Sequence, residues 1–332
     1  MRSNAMPELP VQASEVRASR PRDVRAQAFR LIPVALLVVI LAVLSAVVPY
    51  FLSLSNFISI LMQSAALGLM ALGLTVVLIT GGIDLSIPSL MSFSAVLGAM
   101  YMKAGGSPVL ASLLMLAVAL AGGCVNGLAV SWLKMIPFVV TLSTMAVFSG
   151  SSIWITNAVS VTGIPRSFIT SVMADVGVIP IPVIVFVVMT LLVQLFLARS
   201  LYGRWLYAVG TNIRAARVSG IPTQRVLFGA YVFSGLAAGL AAIVTTAWLG
   251  TAGGTIGSEG VVLDVVSSAV LGGVSIYGGA GTALGALVGT ILIKLISNSL
   301  NFLQASYYLV LVTKGIVIVA FVAVDSLFRR KS

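Results

Sequence analysis

The chain reads as a succession of long apolar runs cut by glycine, proline and short charged stretches. Runs near 31–52, 57–80, 86–102, 108–133 and 137–157 form one series, and runs near 179–198, 226–249, 262–276, 281–303 and 307–326 form a second. Most of them reach the ~20 residues that an α-helix needs to cross a hydrocarbon core. The pattern predicts an all-α polytopic membrane protein with about ten transmembrane helices. Residues 57–157 and 226–326 can each hold four spans. Two pseudo-repeated halves, arranged as an inverted repeat, would account for that balance, although sequence similarity between them is faint.

Composition agrees with the bilayer as solvent. The 332 residues are 59% hydrophobic and 8% charged, with a mean hydropathy of +1.14, whereas soluble domains carry roughly 25% charged residues. The first run follows six arginines between Arg2 and Arg30, as a signal peptide might. It is longer than a signal core and more spans follow, so it is expected to stay as an anchor.

Charge then sets the expected orientation. A net charge of +11 invites a nucleic-acid reading, but its placement follows the positive-inside rule instead. With the N-terminus in the cytoplasm, the inner side receives those six arginines, Lys134, the five arginines of 199–225, and Arg329, Arg330 and Lys331. The outer side receives only Lys103 and Arg166. Both termini are expected to be cytoplasmic. Residues 1–30 and 327–332 would be tails around a membrane domain over 31–326, and the lipid bilayer rather than nucleic acid would be the partner.

Candidate chemistry is sparse. Histidine is absent and the single cysteine, Cys124, lies in an apolar run, so the sequence predicts neither disulfides nor a metal site. Of eight acidic residues, Glu8, Glu15 and Asp23 are in the N-terminal tail, Asp84, Asp264 and Asp325 lie near predicted span ends, and Asp175 and Glu259 fall in outer loops. On this reading no acidic pair sits mid-span, which argues against a proton-driven carrier. Lys294 and Lys314 are the intramembrane cations; Lys294 shares a helical face with Asn298 and Asn301, and Lys314 has no polar companion at helical spacing. No phosphate cradle of the form G-x-x-x-x-G-K-[ST] occurs, so ATP use would require another chain.

Two short segments are bordered by glycine: Gly81, Gly82 and Pro88 flank 86–102, and Gly272, Gly273, Gly278, Gly279 and Gly281 flank the end of 262–276. Broken helices along a transport path would use glycine in this way, and so would close helix packing. The longest inner loop, 199–225, contains Asn212-Ile213-Arg214-Ala215-Ala216-Arg217-Val218-Ser219-Gly220. An asparagine N-cap, an alanine-rich body and a glycine stop predict a short rigid helix there. Topology anchoring explains its arginines but not its cap and stop; a docking surface explains both.

These features together resemble the ribose-type permeases of bacterial ABC importers, within the monosaccharide and branched-chain amino acid permease superfamily. The resemblance runs from about residue 50 to 326. It rests on Thr80-Gly81-Gly82-Ile83-Asp84-Leu85-Ser86, Asn126-Gly127, Pro137-Phe138-Val139-Val140-Thr141-Leu142, Gly203-Arg204, Gly210-Thr211-Asn212 and Ala215-Ala216. Leu271-Gly272-Gly273 and Gly278-Gly279-Ala280-Gly281-Thr282 complete it. Where the family usually has Val-Gly and Asn-Gly, this chain has Ile87-Pro88 and Asn298-Ser299.

The resemblance implies a type II ABC importer-like fold in the bacterial inner membrane. It implies a second permease copy or paralogue, two cytoplasmic ATPase subunits that bind ATP and Mg, and a periplasmic solute-binding protein. This chain would bind no cofactor and would not be an enzyme. ATPase coupling falls on Gly203, Arg204, Gly210, Asn212, Ala215, Ala216, Ser219 and Gly220, and the translocation path on Asp84, Ser86, Asn126, Thr141, Asn298 and Asn301. A stand-alone ion-coupled carrier and a scaffold subunit are the alternatives.

Overall fold

A computed structural model describes residues 53–317 apart from 258 and 307, together with isolated positions 38, 39, 42, 45, 51 and 319. Most of the expected first span, 31–52, and both expected tails therefore lie outside the described residues, as does most of 318–326.

The helices follow the apolar runs. They are α1 (Leu54–Ile79), α2 (Ile87–Lys103), α3 (Pro108–Ser131), α4 (Pro137–Thr156), α5 (Arg166–Val172) and α6 (Ile181–Arg199). After them come α7 (Leu201–Thr211), α8 (Ile213–Val218), α9 (Thr223–Leu249), α10 (Glu259–Leu271) and α11 (Ala283–Phe302), and then a further apolar helix, α12 (Tyr308–Val317). A small antiparallel hairpin, β1 (Asp175–Val176) with β2 (Ile179–Pro180), precedes α6. Among the described residues six helices, α1, α3, α4, α6, α9 and α11, are long and apolar enough to cross a membrane. The helices α2 and α10 are shorter, with 17 and 13 residues, as the glycine-flanked runs predict.

Their ends are set by local chemistry. Ser53, Ser107 and Thr282 accept backbone N–H groups at the starts of α1, α3 and α11. Prolines in the first turns of α2, α3, α4 and α6 remove donors that would have no intrahelical partner. This accommodates Ile87-Pro88: the proline starts α2 and breaks nothing. Hydroxyls inside the spans donate back to their own helix, as Ser64 does to the Ile60 carbonyl and Thr75 to the Ala71 carbonyl, both at 2.7 Å. A polar side chain in hydrocarbon is thereby satisfied without a neighbour.

The central helix is α1, which packs against α6, α9, α10 and α11. The tightest crossing joins α3 to α9, where small residues let the backbones meet. A side chain at Gly235 would overlap the Ala119 carbonyl, and one at Gly123 would lie 2.6 Å from the Tyr231 carbonyl. By contrast, α4 leaves Phe138, Val139, Val147 and Trp154 exposed, an apolar surface for lipid or another protein.

Gly235→Val is expected to destabilise the protein by about 1–3 kcal/mol through overpacking. Gly150→Ala, at a position with open space around it, is expected to change little. Thermal unfolding of the detergent-solubilised variants checks the pair.

Candidate translocation and coupling sites

Between α1 and α2 the chain is not helical, and residues 80–86 run back into the bundle. Gly81 begins the turn at φ +80°, a conformation that a side chain would strain. Asp84, 2% exposed, anchors the segment. Its Oδ1 accepts the Ser86 backbone N–H at 3.0 Å and the Ser86 hydroxyl at 2.6 Å, and its Oδ2 accepts the Ser234 hydroxyl of α9 at 2.7 Å. Asn126 of α3 donates from Nδ2 to Ser86 Oγ at 2.8 Å. The Ile83 carbonyl accepts Thr141 Oγ1 from α4 and Tyr231 Oη from α9, both at 3.3 Å.

Four of the pathway candidates, Asp84, Ser86, Asn126 and Thr141, thus form one buried cluster. Their network also includes Ser234 and Tyr231, which sequence reading did not single out, because a serine and a tyrosine inside an apolar run carry no spacing signal. Asn126 Oδ1 keeps a buried lone pair without a partner. The loop 250–257 packs on α2, which starts beside the cluster: Ser92 Oγ donates to the Gly253 carbonyl at 2.7 Å, and Gly257 lies directly against the Pro88 carbonyl.

Asn298 and Asn301 belong elsewhere. On α11, Asn298 Nδ2 donates to Asn56 Oδ1 of α1 at 3.2 Å, and Asn301 is exposed one turn further on. The pathway candidates thus fall into two separate groups, one held by α3, α4 and α9 and one at Asn56 of α1, and are not brought together.

The charged residues require a correction. Asp264 lies within α10, not at a span end, because the helix begins at Glu259, ahead of the predicted 262. Lys314 has a companion after all: its ammonium meets both Asp264 oxygens, at 2.8 and 3.0 Å. Lys294 stands 4.0 Å from the same carboxylate. Asp84 and Asp264 are each buried inside the bundle, which weakens the argument against an ion-coupled carrier drawn from the lack of a mid-span acidic pair.

The loop 199–225 is more ordered than expected. Ahead of α8 it forms the amphipathic helix α7, capped by Ser200. Tyr202 of α7 donates to the Arg225 carbonyl at 2.8 Å, and burial pushes its phenol above the ordinary tyrosine range. The predicted helix is α8: Asn212 Oδ1 accepts the N–H groups of Arg214 and Ala215, both at 3.0 Å, and Gly220 ends the turn at φ +79°.

The coupling candidates separate by exposure. Arg204, Asn212, Ala215, Ser219 and Gly220 are exposed, together with Arg214, Arg217 and Val218, whereas Gly203 and Ala216 are buried and Gly210 half-buried. Gly203 packs on the Phe196 and Leu197 backbone.

Gly210 sits at a junction. A side chain there would overlap the Ile79 carbonyl at the end of α1 and lie 2.6 Å from the Gly279 nitrogen. The Gly279 N–H donates to that same Ile79 carbonyl at 2.9 Å. A side chain at Gly278 would lie 2.8 Å from the Gly210 carbonyl and 2.9 Å from the Gly81 backbone. Tyr207 of α7 donates to the Gly281 carbonyl at 2.8 Å, and Gln194 of α6 accepts the Ala283 and Leu284 N–H groups at 3.0 and 3.3 Å. Three glycine motifs far apart in sequence therefore meet at one point, at the end of the bundle that carries α7 and α8. The glycines divide accordingly. Gly272 serves the α10–α11 crossing, against the Gly285 backbone, and Gly82 leaves room for the Tyr231 hydroxyl, while Gly81, Gly278 and Gly279 serve the junction.

Asp84→Ala is expected to cost about 2–4 kcal/mol, since it strands two hydroxyls and a backbone N–H at depth. Asp84→Asn, which keeps acceptor capacity, is expected to cost less. Thermal unfolding in matched detergent ranks the two variants.

Residues 56–322 match the family described as the permease component of branched-chain amino acid transport systems. The ribose import permease protein of Bacillus subtilis (strain 168) is 37% identical over 300 residues, covering 90% of this chain and 91% of the relative. The D-allose transport system permease protein of Escherichia coli (strain K12) is 36% identical over 299 residues, covering 89% and 91%. The autoinducer 2 import system permease protein of Escherichia coli O9:H4 (strain HS) is 30% identical over 273 residues, covering 80% and 82%. No solved structure matches. The family match over residues 56–322, relatives aligned along most of their length, and helices long and apolar enough to cross a membrane place the chain in this permease family, as a multi-pass membrane-spanning permease subunit of an ABC importer.

Proposed function

We propose that the chain conducts a small polyhydroxylated solute, a monosaccharide or close chemical relative, handed over by a periplasmic binding protein and driven by ATPase subunits docked at α7 and α8. Two of the relatives are named for the monosaccharides ribose and D-allose. The carrying observation is the glycine junction. A force applied to α7 reaches the 80–86 segment through Ile79 and Gly81, and the α10–α11 connection through Gly278, Gly279 and Gly281. Packed backbones without intervening side chains move together.

The docking element in this reading is α8, whose exposed Ile213, Arg214, Ala215, Arg217 and Val218 offer an apolar and basic knob. Gly203, Gly210 and Ala216 hold it to the bundle. ATP and Mg act on the partner ATPases, and this chain binds no cofactor. The membrane domain over 31–326 sits in the bacterial inner membrane beside a second permease copy or paralogue, with tails 1–30 and 327–332 in the cytoplasm. The opposite end, where the Val161 and Ala252 backbones bridge loops 158–178 and 250–262, receives the binding protein.

Reconstitution tests the reading: uptake is expected only when ATPase partners and ATP are present, and uptake by the chain alone would make it a carrier. Val218→Asp and Gly210→Val are both expected to lower transport-linked ATP hydrolysis at least about tenfold, a loss on the scale of one hot-spot contact. Membrane insertion should be retained. Normal coupling in both variants would remove α7 and α8 from the mechanism.

A further inference from the structure

The polar side chains of α11 form a stripe that runs from the end of the helix to its middle. Asn301 is exposed near the end of the helix, Asn298 one turn deeper is 8% exposed, and Lys294 a further turn down lies mid-helix with a side chain 20% exposed. These positions, at i, i+4 and i+7, share one helical face. Asn56 joins the stripe from α1 through its bond with Asn298.

Two groups on the stripe have unused capacity. Asn298 Oδ1 is buried without a hydrogen-bond partner. Lys294 shares its counter-charge: both Asp264 oxygens are held by Lys314 at 2.8 and 3.0 Å, and Lys294 only approaches one of them at 4.0 Å. Among the described residues the cluster therefore carries two ammonium groups and one carboxylate. Buried charges are paired as a rule, and an ionisable group inside a membrane bundle calls for a named partner.

We infer that the second anion is supplied by the solute: the stripe takes a hydroxylated small molecule bearing an anionic group, of the sugar-acid class, with Lys294 receiving the carboxylate. This deepens the importer reading and rests on it. Amides suit hydroxyls because each both donates and accepts, and Asn298 Oδ1 has a free acceptor site for one. The ammonium at the mid-helix end suits a carboxylate, which it meets by charge-assisted hydrogen bonds. The order of the groups along the helix also gives a direction. A solute arriving from the Asn301 end exchanges water for amides before it reaches the charge, so its anionic group is never without partners. The Asp264–Lys314 pair keeps the second ammonium satisfied when the site is empty.

The test is the ratio of ATP-dependent uptake of radiolabelled sugar acids, D-galacturonate and D-gluconate, to that of D-galactose and D-glucose, by the complete transporter in proteoliposomes. The wild type is expected to prefer an acid. Lys294→Met is expected to lower the acid-to-neutral ratio about tenfold or more, the scale of one lost charge-assisted hydrogen bond, with Lys294→Arg retaining it. If Lys294→Met fails to reach the membrane, Lys294→Gln gives the same ratio test with a neutral side chain of similar reach. A preference for neutral sugars, or a ratio unchanged in the neutral variants, would overturn the inference and reduce the cluster to a pin between helices. Absence of ATP-dependent uptake of either series by the wild type would instead remove the importer reading on which it rests.

Discussion

A peptide chain in hydrocarbon must satisfy each backbone N–H and C=O within the protein, and this fold departs from helix at depth only where it meets that demand locally. Residues 80–86 show how. Asp84 gathers a backbone N–H and two hydroxyls, the Ile83 carbonyl collects a threonine and a tyrosine, and Asn126 closes the set from α3. Without that carboxylate the non-helical segment would have no stable place inside the bundle. The short helix α2 would then lose its starting point, and the loop 250–257 the surface it folds against.

The same demand explains the division of labour between the two carboxylates. Asp84 is held by neutral donors from α9 and its own turn, an arrangement that fixes one segment. Asp264 is held by a lysine from a different helix and approached by a second, which joins α10, α11 and α12 by charge. The first is a staple. The second is an imbalance of charge, and an imbalance is what a ligand can complete.

Motion is confined by the glycine junction. Where Ile79, Gly81, Gly210, Gly278 and Gly279 meet, no side chain separates the backbones, so α7 cannot shift without carrying both interruptions of the bundle. The long helices behind it, with α1 at their centre, supply the rigid frame against which such a shift acts.

Much of this was legible in the sequence because much of it is local. Apolar run length fixes a spanning helix whatever surrounds it, which is why the runs 57–80 and 179–198 reappear as the helices α1 and α6. The cap, alanines and stop of 212–220 specify α8 within nine residues. What only the tertiary structure decided is the pairing of polar groups between helices. Asn126 and Asn298 look equivalent along the chain, yet one faces Ser86 and the other Asn56. Lys314 looks isolated until α12 brings it to Asp264, and Gly272 looks like Gly278 until one lies in a helix crossing and the other at the junction. Helices that are apolar nearly all round carry no periodic signal for their rotation or register, so hydropathy leaves those partners open, and packing small residues against small residues chooses them.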